Sequence, residues 1–170
     1  MGYVHVYTGN GKGKTTAAIG LAVRALGAGW RVFFGQFLKT GRSSEHTILS
    51  RFPGQLTVKT YGRDVLIRGE PEDEDRRLAQ EGMRDLAEVV ASGAHQLVVL
   101  DEANVAAHLG LITVEQILGL IDKRAEGVEM VITGRHADPR LLARGDLVTE
   151  MREVKHYYHR GIPARTGVEI

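Results

Sequence analysis

Residues 8–18 read TGNGKGKTTAA, a glycine-spaced stretch that passes through Lys-Thr-Thr straight into alanines. Gly9, Gly11 and Gly13 alternate with Asn10 and Lys12, so every second position lacks a Cβ atom. A backbone of that kind can close successive N–H groups around oxygens, and a helix starting at Lys14 adds its positive N-terminal end. The spacing G-x-x-x-x-G-K-[ST] between a strand and a helix describes a loop that cradles phosphates, with the lysine on the phosphates and the hydroxyl on Mg²⁺. YVHVY at 3–7 supplies the strand, and Ala17, Ala18, Leu21, Ala22 and Ala25 supply one apolar helix face. Two positions depart from the common pattern: Thr8 stands where the first glycine is usual, and Lys12 adds a second cation. The nucleotide-binding assignment covers Thr8, Gly9, Asn10, Gly11, Lys12, Gly13, Lys14, Thr15 and Thr16, with Thr15 also placed on the metal.

Outward from this loop, short β-branched and aromatic runs alternate with longer helical patterns. WRVFFGQF (30–37), QLTVKTY (55–61), QLVVLDE (96–102), EMVITGR (129–135) and LVTEMREVKH (147–156) read as further strands. Helices are expected at about 14–26, at about 72–90, from Thr113, and after Asp138 and Pro139. This alternation predicts one α/β domain over 1–170, a mostly parallel sheet with helices on both faces. Thr113 with Gln116 forms a capping-box pattern, and Pro139 suits a first helical position. Glu70, Glu72, Asp73, Glu74 and Asp75 crowd a helix start, where the dipole favours a solvated acidic turn.

In parallel sheets ligands meet the carboxyl ends of the strands. QLVVLDE ends a buried run in two acids, so Glu102 is the first choice for the metal and Asp101 the next. QFLKTGRSSE places Lys39, Arg42 and Glu45 beyond another strand, and VITGR places Arg135 likewise, where each can bring charge to the site. The seven histidines are scattered, without the i, i+4 pair plus carboxylate of a zinc site. KHYYHRGIPARTG (155–167) mixes cations with two tyrosines, and the strand pattern before it predicts a folded, ligand-facing end.

Composition narrows the classes. Lys+Arg 22 against Asp+Glu 21 leaves a formal net charge of +1, which argues against nucleic acid or an anionic membrane as partner. There is no cysteine, which removes disulfides, thiolate catalysis and iron–sulfur centres. No window approaches the roughly 20 apolar residues of a membrane span, and no leader precedes the first strand; a cytoplasmic protein is expected. On these grounds a kinase or ATPase and a nucleotide-dependent switch stand side by side.

TGNGKGKTTAA, the QF-x-K-x-G stretch with a following acid, VVLDE-x-N, ITGR and the ending VKH-x-Y-x-x-G-x-x-A-x-x-G-x-E together resemble the ATP:corrinoid adenosyltransferases of cobalamin biosynthesis. The likeness runs from Tyr3 to the last residues, with Thr8 and Lys12 among its most specific points. It implies a RecA-like phosphate-loop fold, Mg²⁺ or Mn²⁺ as cofactor, and ATP and a reduced corrinoid as substrates. Cobalt(I) would attack C5′ of ATP and expel the whole triphosphate, with ATP lying reversed in the loop and Lys12, Lys14 and Arg135 as the catalytic cations. Lys39 joins the nucleotide-binding residues. A homodimer and a flavoprotein reductant are the implied partners. Where the family carries an aromatic G-F-T-W segment this chain reads YGRDVLIRG, so an apolar wall falls to Tyr61, Val65 and Leu66. The N-terminal extension of longer relatives is expected to be missing.

Overall fold

The computed structural model describes residues 1–40, 43–63, 67 and 69–169. Its elements run β1 (Val4–Thr8), α1 (Lys14–Gly27), β2 (Val32–Phe37), α2 (Ser44–Leu49), β3 (Leu56–Tyr61), α3 (Asp73–Ser92), β4 (Leu97–Asp101), α4 (Ala103–His108), α5 (Val114–Lys123), β5 (Glu129–Thr133), α6 (Pro139–Arg144) and β6 (Leu147–Glu150), followed by a 3₁₀ turn at Tyr157–Arg160. The six strands form one sheet in the order β3-β2-β4-β5-β1-β6, and every pairing is parallel. β5 therefore separates the strand before the phosphate loop from β4, with Val6 opposite Ile132 and Leu100 opposite Ile132 on its other side.

The continuously apolar strands are explained by burial on both faces. Val32, Phe34, Leu97, Val99 and Val131 pack under Ala18, Ala22, Ala25 and Leu26 of α1. Phe33, Phe37, Val98, Leu100, Met130 and Ile132 point the other way, into a core closed by Ala79, Met83 and Leu86 of α3 and Ile117, Leu120 and Ile121 of α5. Alternate residues of one strand thus serve opposite layers, as the two-residue period of a strand requires. The expected caps form: Thr113 and Gln116 exchange hydrogen bonds across the start of α5, and Pro139 opens α6 behind the Asp138 cap.

Several expectations need correction. LVTEMREVKH is strand only over Leu147–Glu150; the chain then leaves the sheet edge to cross the phosphate loop, where Met151 N donates to Thr8 O at 2.8 Å. α2 and α4 went unpredicted because six residues carry less than two turns of periodicity. The acidic start of α3 is not wholly solvated. Asp75 is 4% exposed and takes a two-point ion pair from Arg63, Nε to Oδ1 at 2.7 Å and Nη2 to Oδ2 at 2.8 Å, while Glu72 and Asp75 form the capping box. Tyr61 is core, not site wall: it is 5% exposed, packs on Phe37 and donates its hydroxyl to Asp85. Arg42, Val65 and Leu66 lie outside the described residues.

Candidate active site

The phosphate loop leaves β1 with Gly9 at φ 92° and reaches α1 through Gly13 at φ 121°, backbone conformations that side chains resist. Gly9 and Gly11 carry a second constraint. A Cβ on either would meet Met151 O, at 2.5 and 2.7 Å, because the segment after β6 runs against the loop and Gly11 N donates to Met151 O at 2.6 Å. Thr8, the residue at the unusual first position, accepts from Ala137 N through its hydroxyl, tying the loop to the turn after β5.

Gly11, Lys12, Gly13, Lys14, Thr15 and Thr16 line a cavity of about 980 Å³ at the carboxyl ends of the strands. Lys39, Glu45, Glu102 and Arg135 border the same cavity, whereas Thr8, Gly9 and Asn10 shape the turn without lining it. Lys14 is almost wholly buried, and its ammonium donates to Gly9 O at 2.8 Å and Gly11 O at 2.7 Å. Burial first, and the Arg135 charge second, push its pKa below the ordinary lysine value, with Glu102 and Asp101 opposing. These are the conditions under which an arriving anion gains most from a fixed cation.

The two acids at the end of β4 are not equivalent. Asp101 is fully buried; its Oδ1 accepts from Thr15 at 2.9 Å and Thr133 at 2.7 Å, and its Oδ2 from Gln36 at 3.0 Å and Lys39 at 3.1 Å. A carboxylate has about four acceptor positions. Asp101 has thus used its capacity in holding Thr15, Thr133, Gln36 and Lys39 in register. Glu102 adopts φ 60°, its N–H donates to the Thr133 hydroxyl at 3.0 Å, and its side chain borders the cavity. Such a left-handed backbone is uncommon at a non-glycine residue and here marks the point where the chain leaves β4 for α4. Burial raises the Glu102 pKa and neighbouring Asp101 raises it further, against the pull of Lys39, Lys14 and Arg135.

Arg135 follows Gly134, whose φ of 129° turns the chain and whose carbonyl accepts from the buried Asn104 amide at 3.1 Å. Lys39 bridges Asp101 to Glu45, 3.8 Å away on α2.

Several wall residues were missed by reading the sequence: Ile19, Leu38, Ile48, Val105 and Val168 give the cavity an apolar side, and Ser43, Ser44, His156, Gly167 and Glu169 complete it. Of these, only the C-terminal group had a signal, the folded and ligand-facing end expected of residues 155–167. Residues 156–169 do fold back: Lys12 donates to Val168 O, and its ammonium lies 3.7 Å from the Glu169 carboxylate. A smaller cavity of about 280 Å³ is lined by Asn104 and the stacked rings of His108 and His136, and contains none of the expected site residues.

A glycine-spaced loop at the carboxyl edge of an all-parallel sheet, with Lys-Thr at the helix start and acids at the end of β4, one strand removed from β1, defines a nucleotide-binding α/β protein of the phosphate-loop class. Residues 1–170 match the family described as ATP:corrinoid adenosyltransferase BtuR/CobO/CobP, and the chain belongs to that family. It is 36% identical over 170 residues to a corrinoid adenosyltransferase of Pseudomonas aeruginosa, covering 99% of this chain and 84% of that one. Corrinoid adenosyltransferases of Salmonella typhimurium and Escherichia coli are 33% and 31% identical, each over 99% of this chain and 85% of theirs.

Proposed function

We propose that this protein transfers the 5′-deoxyadenosyl group of ATP to cobalt(I) of a reduced corrinoid in cobalamin biosynthesis or salvage. The observation that supports the reading most directly is that two separate motifs border one cavity. The phosphate loop Gly11–Thr16 is common to many nucleotide-binding proteins, and the C-terminal residues His156, Gly167, Val168 and Glu169 belong to the ending that a generic ATPase does not share.

In the reaction the cobalt(I) electron pair forms the cobalt–carbon bond at C5′, the C5′–O bond breaks, and its electron pair leaves on the triphosphate. The nucleophile carries no proton, so no general base is required. The chain's task is alignment of three atoms and stabilisation of the charge that grows on the leaving oxygen. Lys14, Lys12 and Arg135 supply positive charge around the phosphate pocket, and Lys39 extends it toward the end of β2. The apolar side formed by Ile19, Leu38, Ile48 and Val105 suits the broad face of a macrocycle and keeps water from the reacting carbon.

Thr15 and Glu102 offer a hydroxyl and a carboxylate, oxygen donors of the kind Mg²⁺ or Mn²⁺ takes together with phosphate oxygens, and Asp101 fixes Thr15 from beneath. When bound, the metal would neutralise part of the triphosphate charge. A homodimer, a flavoprotein as the source of electrons and a cytoplasmic location complete the reading, with neither nucleic acid nor membrane as partner. No helix among the described residues is long and apolar enough to cross a membrane.

The test is incubation with ATP, Mg²⁺ and a chemically reduced corrinoid. The expected result is the visible spectrum of a light-sensitive cobalt–carbon bond and one triphosphate per adenosylated corrinoid. ADP as the phosphate product, with no spectral change, would overturn the reading in favour of a kinase or ATPase.

A further inference from the structure

The C-terminal ending is absorbed only in part by the proposed reaction, which needs a wall there but no acid. Glu169 nevertheless borders the phosphate cavity with its side chain 16% exposed, 3.7 Å from the ammonium of Lys12. It is held there from three directions. The Tyr157 hydroxyl donates to Oε1, Arg165 N donates to Oε2 at 2.9 Å, and the Arg165 guanidinium reaches both oxygens while its carbon sits 4.8 Å over the Tyr157 ring. Lys12 is gripped a second time by Val168 O. A loop lysine positioned for a polyanion is thus engaged by the protein's own carboxylate and carbonyl.

A carboxylate beside a triphosphate site is costly to ATP binding, since triphosphate brings several negative charges into the same pocket. What it offers is an alternative partner for Lys12 once the reaction is over. Triphosphate set free from its nucleoside is the more highly charged ligand, and a pocket built on Lys12, Lys14 and Arg135 would retain it. We infer that Glu169 is a positioning residue for Lys12 that competes with triphosphate for this lysine, weakening product binding and so speeding its release. The inference rests on the cavity being the triphosphate site. Glu169 stays ionised throughout the working range, because the Tyr157 and Arg165 bonds hold its pKa down to about 2, so the competition is not switched by pH.

The experiment measures binding of inorganic triphosphate alone by calorimetry, which needs no corrinoid and no turnover. Glu169→Gln removes the charge and keeps one amide oxygen, for the Arg165 N–H, with its NH2 toward the Tyr157 hydroxyl, which can turn to accept. Its triphosphate Kd is expected to fall by about tenfold, an effect that shrinks with added salt as a charge effect must. In turnover, product inhibition should strengthen while the first turnover stays at least as fast. In a Lys12→Ala background the same substitution should change the Kd by less than about twofold, since the coupling runs through Lys12. Tyr157→Phe separates a structural role: it loosens the anchor but leaves the charge, and should not tighten triphosphate binding. Unchanged or weaker binding in Glu169→Gln, or an equal gain without Lys12, would overturn the inference while leaving adenosyl transfer intact. No binding of triphosphate by the unaltered protein would remove both this inference and the assignment of the cavity.

Discussion

Lys14 sits under its own loop, nearly out of solvent and bonded to two glycine carbonyls. Replacing it by alanine removes a fixed charge from the phosphate pocket and should cost about 2 to 4 kcal/mol of transition-state stabilisation, read as a fall in kcat/KM. Its depressed pKa carries a sign that can be measured. The free protein loses the Lys14 charge at lower pH than an ordinary lysine would, and bound triphosphate favours the charged form again. ATP binding at alkaline pH should therefore take up a proton, seen as a dependence of binding heat on buffer ionisation enthalpy; Lys14→Ala abolishes that dependence. The acids of β4 separate in the same manner. Glu102→Gln should raise the Mg²⁺ concentration needed for half-maximal activity and leave the urea midpoint unchanged. Because the Glu102 pKa is raised, metal binding to the unaltered protein should release a proton at mildly acidic pH, and the variant should not. Asp101→Ala strands the buried donors of Gln36 and Thr133, and the urea midpoint should drop by the equivalent of about 2 to 4 kcal/mol. An unchanged metal requirement in Glu102→Gln would move the ligand role elsewhere.

Among the elements, α3 shows how an acidic helix start becomes a structural contact. Its capping box faces Arg63, which leaves β3 and closes on Asp75 with two bonds. Glu72 also meets Arg63 but is 70% exposed, so its contribution is small. Arg63 and the Glu72 N–H hold the Asp75 pKa below its usual value. A carboxylate shifted this way contributes stability that is complete above its unfolded pKa, about 4, and is lost as pH falls through the lower folded value. Asp75→Asn should cost about 1 to 3 kcal/mol at neutral pH, and the difference from the unaltered protein should shrink in acid below about pH 4, followed by urea unfolding at several pH values. The sequence showed the cap and the charge cluster, since both are local. It could not show Arg63 opposite Asp75, because the sequence between them carries no periodic pattern.

Across the whole molecule the phosphate loop is a junction between the start and the end of the chain. Gly9 and Gly11 look, in the sequence, like residues required by phosphates alone; in the fold they also admit the backbone at Met151. Gly11→Ala should therefore damage more than nucleotide binding. Its Cβ would stand 2.7 Å from Met151 O, so the segment after β6 must shift, and Glu169 with it. The expected outcome is faster amide exchange over 151–169 without ATP present, along with weaker ATP binding; protection equal to that of the unaltered protein would limit Gly11 to the phosphate role.

The sequence by itself determined the strand–helix alternation, the loop from Thr8 to Thr16, the acids at 101–102 and the family-like ending. Each of these is a pattern within a dozen or so residues, written in periodicity, turn chemistry and caps. Only the tertiary structure decided that Asp101 is saturated beneath the site while Glu102 faces it, that Tyr61 belongs to the core, and that the ending lies on Lys12. Those outcomes depend on the strand order β4-β5-β1-β6, which sets Thr133 beside Asp101 and Met151 beside Gly11. The first pair is set by the burial of β4 and β5 on both sheet faces and the second by the parallel pairing of the exposed edge strand β6 with β1, conditions on the whole chain that no short stretch of it contains.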